Sequence, residues 1–243
     1  MSDHEDLRSF GLGRNLSTFD PKDWNLRLFA LRRTDITERL WGFNHEALDQ
    51  KDKPHCGGFS MAHFGLCLPT FSDYTNEDGD EFYKQCKITD LQPGWENGTS
   101  VRSIAVTGQK LKMWPNYAFA TDVETIYAWL LNSGPVIMGT NWYTDMFMPN
   151  ENHVIHPTGD LAGGHAWVAI GVNLNSGYID GLTSWGPSFG DNGRFRIPMI
   201  EFRKLFAQQG EAIAAIETGK IDPSGIVEEN PGCLSALKKV WGK

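Results

Sequence analysis

The chain has 243 residues, 40% of them hydrophobic and 21% charged, enough apolar material for one large domain or two lobes around a cleft. Its net charge of −8 and pI near 5.3 argue against nonspecific nucleic-acid binding. No apolar run reaches about 18 residues, so no membrane span is expected. The start, MSDHEDLRSFGLG, is polar and acidic and lacks the basic and apolar regions of a secretory signal.

Residues 1 to about 40 read as an N-terminal arm, because FDPKDWNLRLFALRR mixes Pro, charge and scattered apolar residues without clear periodicity. Such a segment is expected to pack on the outside of the fold. From Cys56 to about Leu68, Phe59, Ala62, His63, Leu66 and Cys67 recur at three- and four-residue spacing, which predicts a helix that Pro69 stops. Residues 70 to 98 predict acidic, Gly- and Asn-containing loops around a short helical run near Phe82 to Ile88. A second helix is expected over Ser100 to Leu111. A third follows in DVETIYAWLLNSG, capped by Asp122 within a capping-box-like start and ended by Gly134 and Pro135. The texture then changes. PVIMGTNWY, AWVAIGVNL, GYIDGLTSW and RFRIPM are strand-like runs separated by Gly, Asn and Pro. Helices first and strands later predict an α+β fold with the two kinds of element segregated. Residues 218 to 243 read as a C-terminal tail: a Pro- and Gly-containing linker, then LSALKKVW, which fits a short amphipathic helix.

Three blocks carry chemistry. DQKDKPHCGGFSMAHFG places Gln50 six residues before Cys56, at a predicted helix start, with Gly57, Gly58, Phe59 and Ser60 after it. GGHAWVAIGVN sets His165 between a Gly-Gly turn and an apolar strand. TSWGPSFGDNGRFRI contains Thr183-Ser184-Trp185-Gly186 and then Gly190-Asp191-Asn192-Gly193. A thiol at a helix start, an imidazole and an amide donor are the parts that nucleophilic acyl transfer needs.

These blocks, in this order, resemble the papain-like cysteine peptidases over roughly residues 40 to 217. The resemblance implies a two-lobe fold, a helical lobe and a β-barrel-like lobe with the active-site cleft between, and a catalytic domain over 41–217 between the arm, 1–40, and the tail, 218–243. It implies that Cys56 is the nucleophile, that His165 is base and then acid, and that Gln50 steadies the oxyanion. Thr183 stands where the family has Asn to orient the His ring, and its hydroxyl is shorter than an amide. Trp185 matches the aromatic shield over that contact. Gly98 and Thr99 resemble the strip that pairs with an extended substrate, Val136 a wall of the main specificity pocket, and Gly164 the turn before the His. Gly57 replaces a frequent aromatic and is expected to leave the cleft less crowded. The arm looks too short for the family's inhibitory pro-segment and is expected to stay attached.

The implied function is a thiol hydrolase acting on extended polypeptide, with no cofactor and no metal. Two alternatives stay open: an inactive papain-like binding or structural subunit, as in a phage virion, and a cell-wall amidase or peptide hydrolase. Compact chains with small residues after the Cys resemble bacterial and phage members, so a cytoplasmic or virion setting is expected, with arm or tail available to an assembly partner. A metal set from Cys56, His153, His156 and His165 lacks the helical His-x-x-x-His spacing. With Cys56 assigned, Cys67, Cys86 and Cys233 are an odd remainder, read as thiols, with a Cys67–Cys86 bridge as the alternative.

Overall fold

The computed structural model describes residues 10–30, 35–43, 45–90 and 97–216. The tail expected over 218–243, its amphipathic helix and Cys233 lie outside the described residues. Five helices and nine strands are seen: β1 Arg14–Asn15, β2 Glu38–Leu40, α1 Cys56–Leu66, α2 Asn76–Thr89, β3 Thr99–Ser100, α3 Val101–Lys110, β4 Asn116–Phe119, α4 Val123–Asn132, β5 Val136–Tyr143, β6 Leu161–Asn173, β7 Tyr178–Leu182, β8 Arg194–Pro198, α5 Met199–Phe206 and β9 Glu211–Ile216. Helices α1 to α3 make one lobe. The other is an antiparallel seven-stranded sheet in the order β4-β9-β5-β6-β7-β8, with β2 added to β6.

Helix α1 is buried on every side, from Cys56 to Leu66, with the partly exposed Phe64 as the exception. A helix wrapped in this way draws its stability from packing, which offsets the poor helix propensity of Gly57 and Gly58. Both glycines serve close approach. A Cβ on Gly58 would stand 2.3 Å from Gly79 O and Tyr83 N of α2. One on Gly57 would stand 2.2 Å from the Thr99 methyl, so the space beside the nucleophile is filled by β3 and not left open as expected.

Helix α2 is far longer than the short run expected. Its start is a capping box: the Thr75 hydroxyl accepts from Asp78 N–H, and the Asp78 carboxylate accepts from Thr75 N–H at 2.8 Å. Asp122 caps α4 by accepting from Thr125 N–H at 2.7 Å. The sheet lobe has a core of large side chains, among them Trp142, Trp167, Phe195 and Phe202. A second cluster runs between the lobes, joining Met61, Val101 and Ile104 to Ile137, Ala166 and Val168. That shared core fixes α1 against β6, the two elements that carry Cys56 and His165. Cys67 and Cys86 are both buried free thiols, and Cys86 Sγ lies 3.5 Å from Met61 Sδ. No helix among the described residues is long and apolar enough to cross a membrane.

Candidate active site

Cys56 is the first residue of α1, where the first-turn N–H groups have no acceptor within the helix and the dipole is positive. Its sulfur accepts from Ala166 N–H at 3.4 Å, which brings the residue after His165 onto the thiol. His165 is fully buried in β6. Its Nε2 lies 2.8 Å from Thr183 Oγ1, while its Nδ1 has no hydrogen-bond partner among the described residues. The ring stacks on Trp185 at 4.3 Å and meets the edge of Trp142 at 4.9 Å. Trp185 therefore covers the His165–Thr183 contact and keeps water from it.

Gln50 is also fully buried. The Ser184 hydroxyl donates to its side-chain oxygen, which turns the amide N–H groups toward the cleft. Its backbone N–H donates to Ser184 O at 2.8 Å. The turn at 190–193 holds the same loop. Asn192 has φ +51, accepts from Ala47 N–H at 3.0 Å and donates to His45 O at 3.0 Å. The turn's role is thus to tie the Gln50 loop to the Thr183 strand end.

The cleft strip is anchored from behind. Gly98, at φ +79, donates its N–H to the Tyr83 hydroxyl at 2.9 Å and accepts from Lys87 at 3.0 Å. Thr99, Ser100 and Ser103 all donate to the carboxylate of Asp90. Val136 is the exception among the residues expected here. It is fully buried in the sheet-lobe core, paired with Ala169, and lines no part of the cleft. Strand alternation puts Gly139, three residues on, at the cleft instead.

Residues 10–15 are not on the outside of the fold. They run through the cleft. The Gln50 amide donates to Gly11 O at 3.0 Å, and Trp185 Nε1 donates to the same oxygen at 3.3 Å. Gly13 donates to Gly164 O at 3.1 Å and accepts from Thr99 N–H at 2.7 Å. Arg14 and Asn15 then pair in parallel with Thr99 and Ser100. The two glycines are needed: a Cβ on Gly11 would stand 1.9 Å from Lys53 O, and one on Gly13 would stand 2.1 Å from Pro54 O. Phe10 sits among Trp185, Phe147 and Phe189, with ring centroids at 4.9, 5.4 and 6.2 Å. The pattern Phe10-Gly11-Leu12-Gly13-Arg14 is the signal for this passage in the sequence.

With the arm in place the pair is neutral. Burial pushes the Cys56 thiol up to about 11, against the smaller opposing pull of N–H groups from Ala166, Gly13 and Gly57 and of the Arg14 charge. Burial holds the His165 imidazole down to about 3. Among the described residues no group of three or more His, Cys, Asp or Glu is placed to hold a metal. His156 instead meets the Glu201 carboxylate at 2.9 Å.

No family model matches the chain. Over 83 residues, 33% of its length, it is 34% identical to cathepsin B-like cysteine proteinase 6 of Caenorhabditis elegans. Over 97 residues it is 32% identical to cathepsin B-like cysteine proteinase 4 of the same organism. The matches span 22% and 29% of those relatives, less than a third of their length. Three solved structures cover most of the chain. Xylellain, a cysteine protease from Xylella fastidiosa, has a TM-score of 0.56 at 17% identity, covering 86% of this chain and 97% of its own. Procathepsin L2 from Tenebrio molitor has a TM-score of 0.61 at 12% identity, covering 89% and 81%. Procathepsin B S9 from Trypanosoma congolense has a TM-score of 0.57 at 15% identity, covering 90% of each. The fold is that of the papain-like cysteine peptidases.

Proposed function

We propose that this chain, papain-like in fold, is a cysteine peptidase whose own residues 10–15 close its cleft. One observation carries the reading. His165 offers Nε2 to Thr183 and keeps a bare Nδ1, on a strand whose next residue touches the Cys56 sulfur. A base that has to take a proton from a thiol needs that tautomer and that free nitrogen.

The chemistry follows. The Cys56 proton passes to Nδ1 and the thiolate attacks the carbonyl carbon of the scissile amide. The oxyanion accepts from the Gln50 amide and the Cys56 backbone N–H. Collapse expels the amine, which leaves with the proton from His165, and water then hydrolyses the thioester with His165 again as base. Thr183 is the departure on which an inactive reading rests, and at 2.8 Å it reaches the ring.

The arm blocks this sequence without serving as substrate. Gly11 O occupies the Gln50 donor. Gly13 turns its N–H toward the Cys56 sulfur and its carbonyl away to Thr99, so no carbonyl carbon faces the nucleophile. Labelling with an epoxysuccinyl thiol reagent, followed by mass spectrometry, tests the reading. Modification confined to Cys56, with peptide hydrolysis abolished in Cys56→Ser, is expected. Equal labelling of the other cysteines, or hydrolysis that survives Cys56→Ser, overturns it.

A further inference from the structure

The side chain of Arg14 is the one part of the arm that leaves the cleft floor and enters the body. It is 2% exposed. Its Nη2 donates to Glu211 Oε2 at 2.7 Å and to Gln209 O at 2.5 Å. The stem lies in a slot made by two missing side chains. A Cβ on Gly139 would stand 2.9 Å from Arg14 Nε and 3.2 Å from Cγ, and one on Gly164 would stand 3.2 Å from Cδ. Gly139 and Glu211 are register partners on β5 and β9, so the carboxylate stands at the bottom of the space that Gly139 opens. Val101 closes one side, 2.4 Å from where that Cβ would be.

We infer that this slot is a subsite for a basic substrate side chain, arginine or lysine, with Glu211 as the residue that selects it. The inference rests on the peptidase reading above and names its substrate class. The slot is one residue along the arm from Gly13, whose N–H faces the nucleophile. It lies on the Thr99 side of Cys56. The opposite side, under Trp185, is where His165 hands its proton to the leaving amine. The slot therefore receives the acyl half of a substrate, within two residues of the bond cut. Glu211 is 15% exposed, and an apolar side chain in the slot would leave that carboxylate covered and unpaired. A cation would pair with it and accept the geometry that Arg14 already shows. Arg14 is thereby the arm's competitor for the same contacts.

The test uses the full chain with fluorogenic peptides whose two acyl-side positions are varied over Arg, Lys, Leu, Phe and Glu. Wild type and Arg14→Ala are expected to cleave peptides with Arg or Lys at one of these positions at least about tenfold more efficiently, in kcat/KM, than the Leu counterparts. Arg14→Ala should raise the rate on the basic peptides. Glu211→Gln should cut the basic-to-Leu ratio by about tenfold or more while cleavage of Leu peptides persists. Cleavage that favours Leu or Phe, or a ratio unmoved by Glu211→Gln, overturns the subsite and leaves the peptidase reading standing. No cleavage of any peptide and no Cys56 labelling overturn both.

Discussion

His165 and Thr183 meet at 2.8 Å through Nε2 and Oγ1, with both residues fully buried and Trp185 stacked over the ring. The hydroxyl is short, but Thr183 is held close to the ring: its N–H is bonded to Gly193 O at 2.9 Å, at the end of β7. Thr183→Val keeps the shape and removes the acceptor. It leaves a buried ring nitrogen unpaired, at a cost of about 1–3 kcal/mol. We expect kcat to fall roughly tenfold to a hundredfold, with KM nearly unchanged. Steady-state kinetics on one fluorogenic peptide decide it; a kcat within twofold of wild type would count against an orienting role.

The arm predicts the reactivity of the nucleophile. With the thiol pushed up to about 11, roughly one Cys56 in ten thousand is thiolate at pH 7. Gly13→Ala puts a methyl against the Pro54 carbonyl and should displace the segment. Iodoacetamide rates on Cys56, followed by mass spectrometry, should still be climbing at pH 9 in wild type and should level off near neutrality in Gly13→Ala. The same variant should hydrolyse peptide faster. Superimposable pH profiles would show that the arm does not control the thiol.

Acid should destabilise the fold through two buried rings. Burial holds His63 and His165 each down to about 3, against about 6.5 for an exposed imidazole. Below pH 6.5 the unfolded chain binds protons that the folded chain refuses. Stability is then complete above pH 6.5 and falls as pH drops toward 3, by about 1.4 kcal/mol per pH unit for each ring. His63 Nε2 accepts from Leu48 N–H at 2.9 Å, so His63→Gln preserves an acceptor and removes one titration. Urea midpoints between pH 7 and 4 should fall about half as steeply in that variant as the two rings demand in wild type. An unchanged slope would exclude His63 from the effect.

Gly58→Ala tests the packing under the nucleophile. The new methyl meets backbone of α2 at 2.3 Å, and neither backbone atom can turn aside. We expect a loss of about 1–3 kcal/mol, read from the urea midpoint. A stability equal to wild type would mean that α1 and α2 are less closely packed than their contacts imply.

What was legible in the sequence was local. Gln50, Cys56, His165 and Thr183 each sit in a short block whose glycines and helix start constrain the backbone, and those blocks meet at the cleft. The pocket was not legible. Val136 and Gly139 share one strand, and the choice between core and cleft depends on β9, whose Glu211 has no sequence relation to either. The arm was harder still. Phe10-Gly11-Leu12-Gly13-Arg14 carries the spacing of a chain pressed against backbone, yet its partners lie from 39 to 197 residues away. Helix α2 was read short because its strongest signal, Thr75 with Asp78, lies one turn before its apolar residues.

A plug that belongs to the same chain obeys different arithmetic from an inhibitor in solution. Some two dozen residues join Asn15 to β2, and the Arg102–Asp23 ion pair shortens the path further. A segment tethered over so short a length returns to its site at an effective concentration on the order of millimolar. Dilution does not release it, and a substrate at micromolar levels has to outcompete it. The fraction of molecules with an open cleft is then a property of each chain, set by how firmly Gly11, Gly13 and Arg14 are held, and is the same in a dilute solution as in a crowded one.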